Sequence, residues 1–76
     1  MPKIGPVPAE KLIKILIHEG FQVVRRKGSH VIPMKENART VVPVHPSKEV
    51  KPALVRAIIQ EAKLTREKFF ELLKKM

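Results

Sequence analysis

Pro8 and Pro52 each head a run of apolar residues spaced three and four apart, and between the two runs lies a stretch, Phe21 to Val44, rich in β-branched and cationic residues. A proline at the first helical position gives up no hydrogen bond and already holds the helical φ. The chain is thereby constrained to one helix before the β-rich stretch and one after it. The first helix is expected over Pro8 to Glu19, with Ala9, Leu12, Ile13 and Leu16 on its buried face, Ile15 and Ile17 widening that face, and Lys11, Lys14 and His18 on the solvated side. Gly20 follows as a residue able to end it with a positive φ. The second helix is expected over Pro52 to Ala62, burying Leu54, Val55, Ile58, Ile59 and Ala62. Thr65 then offers an N-cap for a short terminal helix, Arg66 to Lys75, packing through Phe69, Leu72 and Leu73.

Within the β-rich stretch, Phe21 to Arg26 alternates Phe21, Val23 and Arg25 against Gln22, Val24 and Arg26, the period of a strand with one face on a core. A second strand, His30 to about Lys35, contains Pro33, which donates nothing to a ladder, so a bulge or a broken pairing is expected there. Glu36-Asn37-Ala38 reads as a turn, and Arg39 to Val44 as a third strand; His45 to Lys51 is polar and irregular. These elements predict an α+β protein: a three-stranded antiparallel meander with both main helices on one face and the other face open. At 76 residues the chain is expected to be one domain, 1–76, burying only roughly 60% of its unfolded surface.

Composition removes several function classes. With no cysteine there is no disulfide framework, thiolate metal site or cysteine nucleophile, and no acidic cluster has metal-ligand spacing, so no metal or cofactor is expected. No stretch approaches the ~18 apolar residues of a membrane span, and no charged segment followed by an apolar run opens the chain, so a cytoplasmic protein without membrane contact is expected. The net charge of +9 is concentrated in the 21–35 segment and the C-terminal third, a field that draws nucleic acid first and an acidic protein second. Aromatic residues are limited to Phe21, Phe69 and Phe70, which leaves no stacking platform; nucleic-acid contacts should run through the phosphate backbone.

The segment that gathers chemistry is Arg25-Arg26-Lys27-Gly28-Ser29-His30. Gly28 supplies the positive φ of a tight hairpin turn, and His30 opens the strand that follows. An imidazole beside three cations is a plausible apparatus for proton transfer at a phosphate, although a histidine at a strand end is more often structural. Ser29 is placed either to bond a phosphate oxygen or to complete the turn. Lys35 and Arg39 extend the cationic surface or serve as solvated edge residues. His45 is a possible second proton carrier, against the simpler reading of a loop histidine bonded to the backbone before Pro46.

Gly20-Phe21, Arg26-Lys27-Gly28-Ser29-His30, Val42-Pro43-Val44-His45, Lys51-Pro52-Ala53-Leu54 and Ala62-Lys63-Leu64-Thr65 before Phe69 occur in an order and at spacings that resemble the HicA, or YcfA-like, family of toxin ribonucleases. The resemblance spans nearly the whole chain. It implies a fold like the double-stranded RNA-binding domain, an α-β-β-β-α sandwich here followed by a short extra helix. Where that family usually has Ala-Gly-Leu, this chain has Ala62-Lys63-Leu64, so a lysine would take the positive φ that glycine takes at lower cost. Alanine and leucine likewise follow Pro52 in place of the family's glycine and hydroxyl residue.

The resemblance further implies the toxin of a type II toxin–antitoxin system that cleaves mRNA, uses a histidine at the position of His30 and is silenced by a HicB-type antitoxin; the free toxin is expected to be monomeric. RNA carries its own nucleophile, the 2′-hydroxyl, so a metal-independent route needs only an acid or base at His30 and cations, Arg25, Arg26 and Lys27, on the phosphate. The leading alternative is a non-catalytic RNA-binding module of the double-stranded type. Further rivals are a DNA-binding domain using Lys51, Arg56 and Lys63, and a module that binds only an acidic protein.

Overall fold

The first helix starts one residue later than proline alone suggests, because Pro8 is drawn into a short backbone pairing. The computed structural model describes residues 4–44 and 49–75. In chain order it contains β1 (Val7–Pro8), α1 (Ala9–His18), β2 (Gln22–Lys27), β3 (His30–Lys35), β4 (Ala38–Arg39), β5 (Val42–Pro43), β6 (Glu49–Val50), α2 (Pro52–Glu61) and α3 (Arg66–Lys75). This is the expected α+β sandwich of the double-stranded RNA-binding type, with the terminal helix added. One pairing is not foreseen: β1 and β6 are antiparallel, Val7 opposite Val50 and Pro8 opposite Glu49, so part of the supposedly irregular 45–51 segment clamps the entrances of α1 and α2 together.

Both main helices end alike. In α1 the Gly20 N–H reaches the Ile17 carbonyl at 3.0 Å and the Phe21 N–H the Leu16 carbonyl at 3.0 Å, with Gly20 at φ +97°. In α2 the Lys63 N–H reaches Gln60 at 3.1 Å and the Leu64 N–H reaches Ile59 at 3.0 Å, with Lys63 at φ +61°. Each is a Schellman end, in which two otherwise unsatisfied carbonyls gain donors and the chain reverses. The two exits line one depression of about 240 Å³, together with Lys35. Thr65 caps α3 as expected, its Oγ1 accepting from the Lys68 N–H at 3.1 Å.

Leu12, Ile15 and Leu16 of α1, Val55 and Ile58 of α2, and Phe69 and Leu72 of α3 are buried in one cluster with Phe21 and Val42. Ile17 and Leu54 were expected in the buried stripes but are 51% and 38% exposed. A helix lying on a sheet buries an arc of its surface, and both residues fall beyond the edge of that arc. Thr40 is a buried polar residue of the sheet, and its hydroxyl donates to Glu61 Oε1 at 2.7 Å, tying the third strand to the end of α2.

Pro33 leaves the trace that its chemistry predicts. β3 is the central strand, between β2 and the β4 and β5 pieces, and Met34–Arg39, Lys35–Ala38, His30–Pro43 and Val31–Val42 all keep one register. β4 and β5 are thus one strand interrupted opposite Pro33. The Thr40 N–H donates to the Pro33 carbonyl at 3.2 Å, but the return bond is impossible because Pro33 has no N–H.

Candidate functional site

The hairpin between β2 and β3 is closed by Lys27 opposite His30, leaving Gly28 and Ser29 as a two-residue turn. Gly28 has φ +58° while Ser29 keeps a negative φ, the pattern of a type II′ turn, whose twist suits the flanking strands. The Ser29 carbonyl accepts the Val44 N–H, so the turn is held to the third strand. His30 is therefore fixed at its backbone from both sides, while its side chain is exposed.

Cross-strand partners place their side chains on the same face, so the register divides the sheet. On the open face the first row is Lys27, His30 and Pro43. The second is Arg25 and Ile32, with Val41 opposite Ile32 in the same register, and the third is Gln22, Met34 and Arg39. The helix-facing side carries Arg26, Val31 and Val42, then Val23, Pro33 and Thr40.

This division corrects the simple alternation expected for β2. The register shifts between Val23 and Arg25, making Val24 an extra residue in a β-bulge. Upstream of it, Phe21 is buried. Downstream, the phase is reversed: Arg25 and Lys27 join His30 on the open face, and Arg26 turns to the side of Val31, exposed at the sheet's margin.

Lys35 lies elsewhere. It follows His30 by five positions on β3, roughly 17 Å at strand spacing. Its ammonium donates to the Glu19 carbonyl at the end of α1, at 2.7 Å, and stands 5.9 Å from the Phe21 ring centre. It serves the helix end and the core margin. Arg39 is on the open face with His30 but at the opposite end, two rows away. His45 lies outside the described residues.

Among the described residues the ion pairs are His18 with Glu19 and Lys75 with Glu71, so Arg25, Arg26, Lys27 and Arg39 all keep their charge available. No group of His, Asp or Glu among these residues could hold a metal ion, and no helix is long and apolar enough to cross a membrane. A histidine and cations that make no ion pair among the described residues, on the face of a sheet turned away from the helices, belong here to a small α+β protein with a fold of the double-stranded RNA-binding type. The chain belongs to the HicA family: the model described as the HicA toxin of bacterial toxin-antitoxin matches residues 9–64. No curated protein matches it. The family assigns a toxin role within a toxin–antitoxin pair. The match ends before α3, whose Phe69 and Leu72 are nonetheless part of the buried cluster.

Proposed function

We propose that this protein is a metal-independent endoribonuclease that cleaves mRNA, with His30 as its acid–base group. The observation that carries the proposal is the row Lys27–His30–Pro43 at the mouth of the hairpin, with Arg25 in the next row of the same face. An RNA strand lying across these rows presents a phosphate to the two cations and its ribose to the imidazole. The 2′-hydroxyl oxygen attacks the adjacent phosphorus while its proton is taken up; the bond from phosphorus to the 5′-oxygen breaks, and that oxygen receives a proton. His30 performs one of these two transfers. Lys27 and Arg25 stabilise the added charge on the phosphoryl oxygens. The products end in a 2′,3′-cyclic phosphate and a 5′-hydroxyl.

The backbone supports such a role because the turn and the Ser29–Val44 bond fix where the His30 side chain leaves the strand, and positioning a reactive group is itself a large part of catalysis. Arg26 and Arg39 supply longer-range attraction to the polyanion, and Ser29 completes the turn. The whole chain, 1–76, works as one unit in the cytoplasm, monomeric when free and silenced when a HicB-type antitoxin binds. Incubation of the native protein and of His30→Ala with mixed mRNA in chelator tests this reading. Cleavage by the native form alone, with cyclic phosphate termini, is expected. Cutting of 2′-deoxy-substituted RNA overturns the mechanism, and RNA binding by both proteins without cleavage by either favours a plain RNA-binding module.

A further inference from the structure

The turn fixes the backbone of His30, yet an exposed imidazole keeps the rotations of its own side chain, and proton transfer needs them settled. The neighbour placed to settle them is Pro43. Val42 is fully buried, and Val44, whose N–H donates to the Ser29 carbonyl, packs against the core. Pro43 stands between the two and so projects to the opposite side, onto the open face directly across from His30.

The type of pairing brings the two side chains close. The Val44–Ser29 bond joins the residues just outside the His30–Pro43 pair, which makes that pair the non-hydrogen-bonded kind. Cα atoms in such a pair are about 4.5 Å apart, against about 5.5 Å in a hydrogen-bonded pair. Lys27 and His30, closed by a two-residue turn, form the hydrogen-bonded kind. His30 therefore has its nearer cross-strand neighbour in Pro43 rather than in Lys27. The backbone nitrogen of Pro43 points away from β3, so its missing N–H breaks no bond to that strand, whereas at Pro33 it does.

We propose that Pro43 is a positioning residue for His30: its ring closes the side of the imidazole toward β5 and turns it toward Lys27, where the phosphate is held. The pyrrolidine has no rotamer freedom to lose, so it confines the imidazole at little entropic cost. The inference rests on the ribonuclease reading for the reaction, but the placement of the imidazole is a property of the free protein.

NMR of the free native protein, with His30→Ala to identify the imidazole signals, should show ring-to-ring contacts between His30 and Pro43 and the couplings of a single χ1 rotamer. Pro43→Ala should average the rotamers and lower kcat on mRNA about tenfold, with KM changed by less than about twofold. Pro43→Val, which restores apolar bulk on a stiff side chain, should recover most of both. A merely structural role would lower the thermal midpoint and leave the rotamer populations and kcat per folded molecule as they are. An unchanged rotamer in Pro43→Ala overturns the proposal, as does a loss confined to KM, which would put Pro43 on the RNA itself. So does association of Pro43→Ala into dimers with the imidazole undisturbed, because β5 lies at the sheet edge among the described residues and proline there would then serve only to guard it. If the native protein cleaves no RNA while Pro43→Ala still frees the imidazole, the positioning stands and the ribonuclease reading falls.

Discussion

At one end of β3, His30 stands in an exposed row with Lys27, and Arg25 follows in the next row, none of the three ion-paired to a described residue. At the other end, Lys35 is folded back on the body of the molecule, its ammonium 2.7 Å from the Glu19 carbonyl and close to the Phe21 ring. The strand thus carries cations to two different ends and two different fates. A lysine near the exit of a helix meets carbonyls that lack donors and is consumed by them. Cations beside a tight turn on an open sheet face meet no such acceptors, and their charge stays available to a ligand. Whether a basic residue serves function or structure therefore depends on which backbone groups lie within reach, and sequence position alone does not reveal that.

The largest test of this contrast is His30→Ala, which should lower the cleavage rate by about 10²- to 10⁴-fold. The side chain is exposed, so the thermal midpoint should hardly move. A comparable loss of stability would place His30 among the structural residues and erase the difference between the two ends. Next in size is the distinction that the bulge creates between neighbouring arginines. Arg25→Gln should slow cleavage about tenfold, and Arg26→Gln about twofold, because only Arg25 shares the face of His30. Both effects should shrink as salt is raised. Equal losses in the two variants would mean that the cations act as a diffuse field and that the register is irrelevant to catalysis.

A smaller effect is expected at the other end. Lys35→Met keeps the aliphatic stem but removes the donor to Glu19, and should lower stability by ~0.5–1 kcal/mol, read as an earlier urea midpoint at unchanged slope. Cleavage per folded molecule should be unaffected. If Lys35→Met instead slows cleavage with no shift in midpoint, the lysine reaches the RNA and the two ends of β3 are alike after all.

Much of this architecture is legible in the sequence. Helical spacing, Pro52 at the head of α2 and the Thr65 cap locate the helices, and α3 occupies the expected Arg66 to Lys75. The Gly28 turn likewise announces His30 at the start of a strand. What escapes the sequence depends on phase and on partners. The bulge at Val24 reverses the faces of the residues after it, so the pattern that puts Phe21 inside assigns Arg25 and Arg26 to the wrong sides. The β1–β6 pairing is too short to show any period. The place of Lys35 depends on Glu19, a distant residue in the sequence whose carbonyl acquires its need for a donor only when α1 ends there.

The smallest effect lies where the two helix exits meet. Gly20 and Lys63 occupy the same position of the same motif, at φ +97° and +61°, yet only one of them is the residue that this conformation favours. At Gly20 a side chain is doubly unwelcome, since a Cβ there would stand 3.3 Å from Lys35 Cε. At Lys63 the side chain is exposed and the strain is purely that of an L-residue held at positive φ, ~1 kcal/mol or somewhat more. Glycine would relieve it, but would also give the unfolded chain more freedom to lose, which returns part of the gain. Lys63→Gly should therefore stabilise the protein by only ~0.5 kcal/mol, seen as a small rise in thermal midpoint, while cleavage stays the same because the exit of α2 lies far from His30. A drop in stability would mean that the lysine contributes something at this corner beyond its backbone, and that the exits of α1 and α2 are held by cations in the same way.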